Sequence, residues 1–214
     1  MLFKYIYACI VLLFLCPSIT FAYIDPATLS YIFSLIVGLI AGLSLYIKYI
    51  IHKIKLLISN ILLFTIELKC YYIYLFKLDS KYKDIVIYSE GKNYYSYYEG
   101  IINELTTRNI NISYISSDHT ENIYFEDNNN IKYLYINILL IPFMQFLKCK
   151  ILILTLTDLH NLHLKRSIYP VKYIYVFHSF VSTHMMYRFG AFNYYDSILC
   201  GGEHHVKEII ANEN

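Results

Sequence analysis

The chain has 214 residues, of which 57% are hydrophobic and only 16% are charged, and its formal net charge is +2. Soluble domains carry about 25% charged residues, so this composition is unusual for a protein that is free in water. The apolar content excludes an intrinsically disordered chain. A net charge of +2 supplies no basic surface able to neutralise several phosphates, so we expect no nucleic-acid partner.

The first 22 residues have the pattern of a secretory signal. Lys4 precedes an apolar run over residues 5–15, and the segment Thr20-Phe21-Ala22 places small residues at the two positions that a signal peptidase reads. We interpret residues 1–22 as a signal peptide or, if they are retained, as a first membrane segment.

A second apolar segment, residues 29–51, has no charged residue before Lys48. As a helix it would be about 34 Å long, enough to cross a hydrocarbon core of about 30 Å. We therefore predict a transmembrane helix. Lys48, Lys53 and Lys55 lie at its C-terminal end, whereas residues 23–28 carry only Asp25. The positive-inside rule then predicts a protein of the cell membrane whose remaining residues face the cytoplasm.

Residues 52–78 are harder to interpret. The segment 56–76 is apolar enough to be a third span, which would reverse the orientation of the rest of the chain. However, Glu67 and Lys69 fall near its middle, and each would cost about 2.5 to 3.5 kcal/mol at the bilayer centre. We favour a juxtamembrane helix lying in the interface, with its tyrosines at headgroup depth: Tyr71, Tyr72 and Tyr74.

From residue 79 onward, short apolar runs alternate with segments of helical periodicity. This alternation predicts an α/β domain over residues 79–214, with a parallel sheet covered on both faces. Ligands bind such sheets at the carboxyl ends of the strands, which selects the loops 89–91, 157–159, 178–183 and 201–203. The predicted strands are 84–89, 111–116, 150–156, 172–177 and 196–200, with two short strands within 122–136, and the predicted helices are 93–107, 139–147, 159–165, 184–188 and 204–210.

A polar cluster follows the predicted strand 172–177. His178 ends this strand, and Ser179, Ser182, Thr183 and His184 follow it. A histidine at a strand end can act as a general base near neutral pH, and the neighbouring hydroxyl groups can bind phosphate or substrate oxygens. The alternative is a structural role, in which His178 caps the strand and forms a hydrogen bond with a neighbouring loop.

Cations and glycines near the same loops suit an anionic ligand. Lys165, Arg166 and Arg188 can bind phosphate or carboxylate groups, although a solvated helix end is the alternative for the Lys-Arg pair. Gly201 and Gly202 precede a predicted helix, whose free backbone amides can hold a phosphate.

A metal site is the weaker interpretation of the histidines. His160 and His163 are three residues apart beside Asp158, with His178 or His184 as further ligands, but the spacing matches no zinc-protease pattern. Asp158 is better placed as the N-cap of the predicted helix 159–165. The five cysteines are scattered without zinc-ligand spacing and suggest reduced core residues. We predict no metal and no other cofactor.

Four segments in order carry a resemblance to a known family: residues 85–92 (IVIYSEGK), 164–167 (LKRS), 175–179 (YVFHS) and 191–200 (AFNYYDSILC). Together they resemble the N-terminal half of CDP-glycerol glycerophosphotransferase-like proteins, which are related to teichoic-acid polymerases and have the two-domain GT-B architecture. The opening YIDP, residues 23–26, followed by one membrane helix, also looks like the anchor of some members.

The resemblance implies a Rossmann-like, acceptor-side domain behind an N-terminal membrane anchor. His178 falls on the histidine that such proteins are thought to use as the base for the acceptor hydroxyl, although Phe177 and Ser179 replace the usual tryptophan and glycine. The implied donor is a CDP-alditol, and the implied acceptor is a polyol phosphate or a glycan. GT-B enzymes bind the donor mainly on a second domain, so we expect the isolated chain to be inactive, as a fragment or as one part of a split enzyme with a separate donor-domain chain.

Two other classes of function stay open at this point. One is a non-catalytic, membrane-anchored α/β module that binds a phosphorylated polymer or a partner protein. The other is a metal-dependent hydrolase built on the histidines.

Overall fold

The computed structural model describes residues 26–125, 128–160, 163–178 and 182–213. The chain divides into two units, Met1–Ile58 and Ser59–Asn214. The signal-like segment, residues 1–22, lies outside the described residues.

The first described element is the helix α1, Pro26–Tyr72. Proline is favoured at the first position of a helix, where its missing N–H has no intrahelical partner to lose. The segment Leu29–Lys77 is the one stretch of the described chain that is long and apolar enough to cross a membrane, with a mean hydropathy of 2.0 in its most apolar window. Large side chains along it are exposed, including Phe33, Leu39 and Ile40. By length and composition, α1 is a candidate membrane anchor.

The C-terminal part of α1 belongs to the second unit. Glu67 is fully buried there, and its Oε1 accepts the backbone N–H groups of Asn137 and Leu139, both at 2.6 Å. These N–H groups lie just before a short helix, so the carboxylate satisfies backbone donors that the helix cannot use itself. The charged residue that argues against a third membrane span is therefore a buried structural group.

A π-helical turn, Ile73–Lys77, follows α1 directly. Within it Tyr74 is only 1% exposed, its ring packs edge-on against Phe143 at 5.0 Å between centroids, and its hydroxyl donates to the carbonyl of Lys148 at 3.0 Å. This differs from the interfacial helix predicted for residues 52–78. Tyr74, which we expect at headgroup depth, lies instead in the core of the second unit because both its ring and its hydroxyl have partners there.

Six parallel strands form one sheet in the order β3-β2-β1-β4-β5-β6, which confirms the predicted parallel α/β architecture. β2 is buried at all five positions, as expected for a parallel strand covered on both faces. Val86 and Tyr88 join one apolar cluster and Ile87 joins the other, because alternate side chains of a strand point to opposite faces. The strands are β1 (Ile85–Ser89), β2 (Ile112–Ser116), β3 (Ile131–Tyr135), β4 (Ile151–Leu154), β5 (Lys172–Val176) and β6 (Ser197–Leu199).

Beyond α1, the described part of the chain has four helices and three 3-10 turns, which lie between the strands or flank the sheet in the chain. The apolar residues of α2 recur at helical spacing, and Tyr98 and Ile102 are buried against the sheet. The helices are α2 (Tyr95–Thr107), α3 (Leu140–Gln145), α4 (Thr183–Met186) and α5 (Glu203–Glu213), and the 3-10 turns are Ser80–Tyr82, Lys92–Tyr94 and His119–Phe125.

Two predicted segments are wrong. The first of the two strands expected within 122–136 is part of the 3-10 turn His119–Phe125, and β3 is the one strand among the described residues of this range. No helix occupies residues 159–165 in the part that the structure describes. The backbone there is left-handed at Asp158 (φ 58°) and His160 (φ 69°), so Asp158 is not an N-cap. The N–H of His160 instead donates to the carbonyl of Leu164 at 2.8 Å, which closes a tight loop.

Candidate functional site

The direction in which the sheet is built reverses at β1. The chain adds β2 and β3 on one side of β1, and then returns to place β4, β5 and β6 on the other side. At such a reversal the connections from β1 and β4 leave the sheet on opposite faces and open a crevice at the carboxyl ends of the strands. Glu90 directly follows β1 and Thr155 directly follows β4, and the Thr155 hydroxyl donates to Glu90 Oε1 at 2.9 Å.

His178 lies at the same edge, two residues after the end of β5. Its half-buried imidazole has two phenol rings beside it, Tyr94 at 5.6 Å and Tyr97 at 6.1 Å between centroids. Its Nδ1 is buried and has no hydrogen-bond partner among the described residues. A buried polar nitrogen without a partner is unusual in a folded protein, and a catalytic role is one of its known explanations.

Tyr94 is close both to His178 and to Glu90, the residue that follows β1. Burial raises the pKa of Tyr94, and the nearby Glu90 carboxylate and Tyr97 raise it further. The Tyr94 hydroxyl therefore stays protonated at neutral pH and keeps both donor and acceptor capacity.

Sequence reasoning missed Glu90, Tyr94, Tyr97 and Thr155 as site residues. The rule on strand ends selects the loop 89–91 but gives no reason to choose Glu90 within it. Tyr94 and Tyr97 recur at helical spacing and suggest core residues, yet Tyr97 is 43% exposed. Their place beside His178 depends on how the start of α2 packs over the sheet, for which the chain offers no local signal.

Ser182 and Thr183 have a structural partner. Glu208 of α5 accepts the Thr183 backbone N–H at 2.9 Å, the Thr183 hydroxyl at 3.2 Å and the Ser182 hydroxyl at 3.3 Å. This carboxylate fixes the start of α4, so these two hydroxyls hold the loop after β5 in place. Ser179 lies outside the described residues, as does the side chain of His184.

Arg188 and Lys165 bind neighbouring loops. Arg188 Nε donates to Asp158 Oδ1 at 2.5 Å, which ties the loop after β4 to the segment after α4. The Arg188 side chain is 56% exposed, so its other donors remain accessible at the carboxyl edge. Lys165 Nζ donates to the carbonyl of His160 at 2.7 Å.

Arg166 lies at the opposite edge of the sheet. Its Nη2 donates to the Val171 carbonyl at 3.1 Å and to Asp196 Oδ2 at 3.0 Å, and its guanidinium lies over the Tyr173 ring at 4.6 Å. These partners surround the starts of β5 and β6, about 17 Å along β5 from His178 at the usual rise per residue. Both terminal nitrogens of its guanidinium donate to protein partners at this edge, so Arg166 lies outside the candidate site.

Gly201 and Gly202 follow β6 and lead into α5, at the same edge as His178. The Gly202 carbonyl accepts the N–H of His205 at 3.1 Å, so the helix begins here as predicted. A Cβ on Gly202 would approach the exposed His204 ring to 3.1 Å, so this ring would have to shift slightly.

His205 is a second histidine that the sequence does not single out. It is 2% exposed, its ring lies 3.9 Å from that of Phe177, and neither ring nitrogen has a hydrogen-bond partner among the described residues. It packs beneath the residue that precedes His178, so it supports the position of the β5 end.

The histidines do not form a metal centre in the part of the chain that the structure describes, where no group of three or more His, Cys, Asp or Glu side chains is arranged to hold an ion. His160 Nδ1 accepts the Arg166 backbone N–H at 3.2 Å, and His163 is exposed. The carboxyl edge offers instead an imidazole, two phenols, a carboxylate and an exposed guanidinium, which suit proton transfer next to an anion.

Comparison with known proteins gives no match: no family model, no curated protein and no solved structure is significantly similar to the chain.

Proposed function

We propose that this chain is the acceptor-side part of a membrane-anchored phosphotransferase related to the CDP-glycerol glycerophosphotransferases. The observation that carries the proposal is the position of His178, at the carboxyl end of β5 with a buried Nδ1 that lacks a partner among the described residues. The strand order supports a Rossmann-like half of a GT-B enzyme, because 3-2-1-4-5-6 is the order of doubly wound nucleotide-binding sheets.

In the proposed reaction, His178 removes the proton from an acceptor hydroxyl, and that oxygen attacks the β-phosphate of a CDP-alditol. A new O–P bond forms, and the bond from the β-phosphorus to the bridging oxygen breaks. CMP leaves with that electron pair. General base assistance of this kind contributes about 10² to 10⁴ in rate.

The neighbours of His178 have assigned roles in this proposal. Tyr94 and Tyr97 flank the imidazole and restrict its orientation, and the protonated Tyr94 phenol is a donor for an acceptor oxygen. Arg188 is the exposed cation that we assign to the phosphate charge. The family resemblance places the nucleotide on a second domain, so we propose a donor-binding domain as the partner.

The test follows the histidine signals of the full chain by NMR in detergent. Titration with an oligo(glycerol phosphate) acceptor is expected to shift the imidazole resonances of His178, which the variant His178→Gln identifies by their loss. His163 is exposed and lies outside the site, so its signals serve as the control and are expected to stay unchanged. An acceptor that moves neither ring, or moves both equally, contradicts the proposed function.

CMP release from CDP-glycerol separates the two parts of the proposal. We expect the purified chain alone to release none, because nucleotide binding is assigned to a partner. Release by the chain alone that disappears in His178→Gln would support the base and contradict the need for a donor-binding partner.

A further inference from the structure

A cavity of about 820 Å³ lies at the amino edge of the sheet, where β1, β4 and β5 begin side by side. Asp84 and Lys150 precede β1 and β4, and Lys172 is the first residue of β5. All three line the cavity. His178 lies at the other end of β5, so this cavity is separate from the candidate site and independent of the proposed function.

The lining of the cavity is strongly basic. Four lysines line it, Lys83, Lys148, Lys150 and Lys172, against one carboxylate, Asp84. The cavity thus carries three positive charges in excess, whereas the whole chain carries only +2. The positive charge is concentrated here and does not reflect a generally basic protein.

The single carboxylate neutralises only one of these lysines. Lys150 Nζ lies 2.9 Å from Asp84 Oδ2. Lys83 Nζ donates to the Leu75 carbonyl at 3.4 Å and lies over the Tyr74 ring. Burial lowers the pKa of Lys83, and the charge of the neighbouring Lys148 lowers it further. The lysines therefore repel one another in the free protein, and a bound anion would relieve that repulsion.

Apart from Ser80, the rest of the lining is apolar or aromatic and includes Leu78, Tyr169 and Pro170. Small-molecule sites have volumes of about 300 to 1,000 Å³ and combine apolar walls with a few charged groups. Lysine ammonium groups bind phosphate as point charges, without the planar fork with which arginine binds carboxylates and phosphates.

We propose that this cavity binds a phosphate-bearing ligand that also has an apolar or ring portion. Two sources share this chemistry, the headgroup of an anionic lipid and a soluble phosphate ester. The lining begins at Leu78, six residues after the end of α1 in the chain, and basic residues that follow a membrane helix in sequence bind anionic headgroups in other proteins.

The test uses the full chain in a zwitterionic detergent and two probes. Sodium pyrophosphate is titrated by calorimetry, and phosphatidylglycerol is offered in mixed micelles against phosphatidylcholine, with bound lipid measured by native mass spectrometry. The test variant is Lys148→Gln/Lys172→Gln. The control, Lys132→Gln/Lys207→Gln, removes the same charge from two exposed lysines outside the cavity. All four side chains are exposed, and the thermal melts are compared to verify that both variants fold.

We expect the test variant to weaken binding at least about tenfold, since charge-assisted hydrogen bonds to phosphate are lost, while the control stays within about twofold of the wild type. Pyrophosphate binding with this pattern supports a soluble phosphate ester, and selective retention of phosphatidylglycerol supports a lipid headgroup. The proposal is overturned if neither probe binds above background, if binding survives in the test variant, or if both variants weaken it equally.

Discussion

Glu121 is a single buried residue, at the carboxyl edge of the sheet, that makes the free energy of unfolding depend on pH. It lies in the 3-10 turn after β2, is fully buried, and accepts the hydroxyls of Ser89 at 3.3 Å and Tyr114 at 3.4 Å. Burial raises the pKa of its carboxyl above the ordinary value of 4.5, and the hydrogen bonds from hydroxyl groups only partly oppose this rise. The folded state then holds this proton more tightly than the unfolded state, so stability falls as pH rises from 4.5 through the folded pKa.

The variant Glu121→Gln is expected to remove this dependence. The amide keeps an oxygen for the two hydroxyls but has no charge to desolvate. Its free energy of unfolding in urea, relative to the wild type, is expected to be higher at pH 8 than at pH 5. The control Glu104→Gln changes an exposed carboxylate on α2 and should show a smaller difference between the two pH values. If the free energies of unfolding of Glu121→Gln and the wild type differed by the same amount at pH 5 and pH 8, this role would be contradicted.

At the scale of elements, the C-terminal end of α1 and the turn after it form the junction with the sheet of the second unit, here called the sheet unit. This junction depends on which side chains point into the core of that unit. Tyr74 is 1% exposed and packs on Phe143, whereas Tyr72, two residues earlier, is 50% exposed and lies 5.2 Å from the Phe76 ring. The sequence of residues 56–76 does not distinguish these tyrosines. The apolar cluster around Phe143, into which Tyr74 packs, is formed by residues far along the chain.

Alanine substitutions at these two tyrosines test the junction directly. Tyr74→Ala is expected to lower the free energy of unfolding by about 3 to 5 kcal/mol, as for other large aromatic residues removed from a core. Tyr72→Ala, on the exposed side, is expected to change it by no more than about 0.5 kcal/mol. Urea denaturation of the full chain measures both, and equal losses would show that Tyr74 does not anchor the junction.

The strands were predictable because their signals are local. The apolar runs of β1, β2 and β5 mark their ends to within one residue, since a buried parallel strand is apolar at nearly every position. The segment after β4 was not predictable, because its left-handed turns at Asp158 and His160 accompany contacts with Arg188 and Leu164.

The residues of the candidate site likewise divide into those that the sequence could predict and those that it could not. His178 could be found from sequence, because a histidine that ends a buried strand reaches the carboxyl edge wherever the strand lies in the sheet. The position of Arg166 at the opposite edge depends on Asp196, thirty residues away, and the use of Thr183 depends on Glu208, twenty-five residues away. No local pattern indicates either pairing.

For the whole molecule, the proposed reaction depends on which side of a membrane the second unit, residues 59–214, would occupy. α1 is a candidate anchor, and Lys48, Lys53 and Lys55 predict a cytoplasmic location for the residues that follow. A cytoplasmic nucleotide-linked donor can reach the site only in this orientation, so the proposed reaction requires it.

Maleimide labelling of introduced cysteines tests the orientation. Lys207→Cys, on the exposed side of α5, is expected to gain one polyethylene-glycol maleimide over the wild-type background only after the membrane is permeabilised. Thr28→Cys, before the predicted span, should react in intact cells and serves as the opposite control. Labelling of Lys207→Cys in intact cells would place the sheet unit outside and separate it from a cytoplasmic donor.

The contacts of Glu67 have a consequence for the time during which the chain is synthesised. The N–H groups that it accepts belong to residues 70 and 72 positions later in the chain. At about 5 to 20 residues per second, the ribosome delivers the first of them roughly 4 to 14 seconds after Glu67. During that interval the nascent helix carries a carboxylate without its final partners, which resists entry into lipid. If α1 is the anchor, the residue that packs its end into the second unit would also limit how far the helix is inserted.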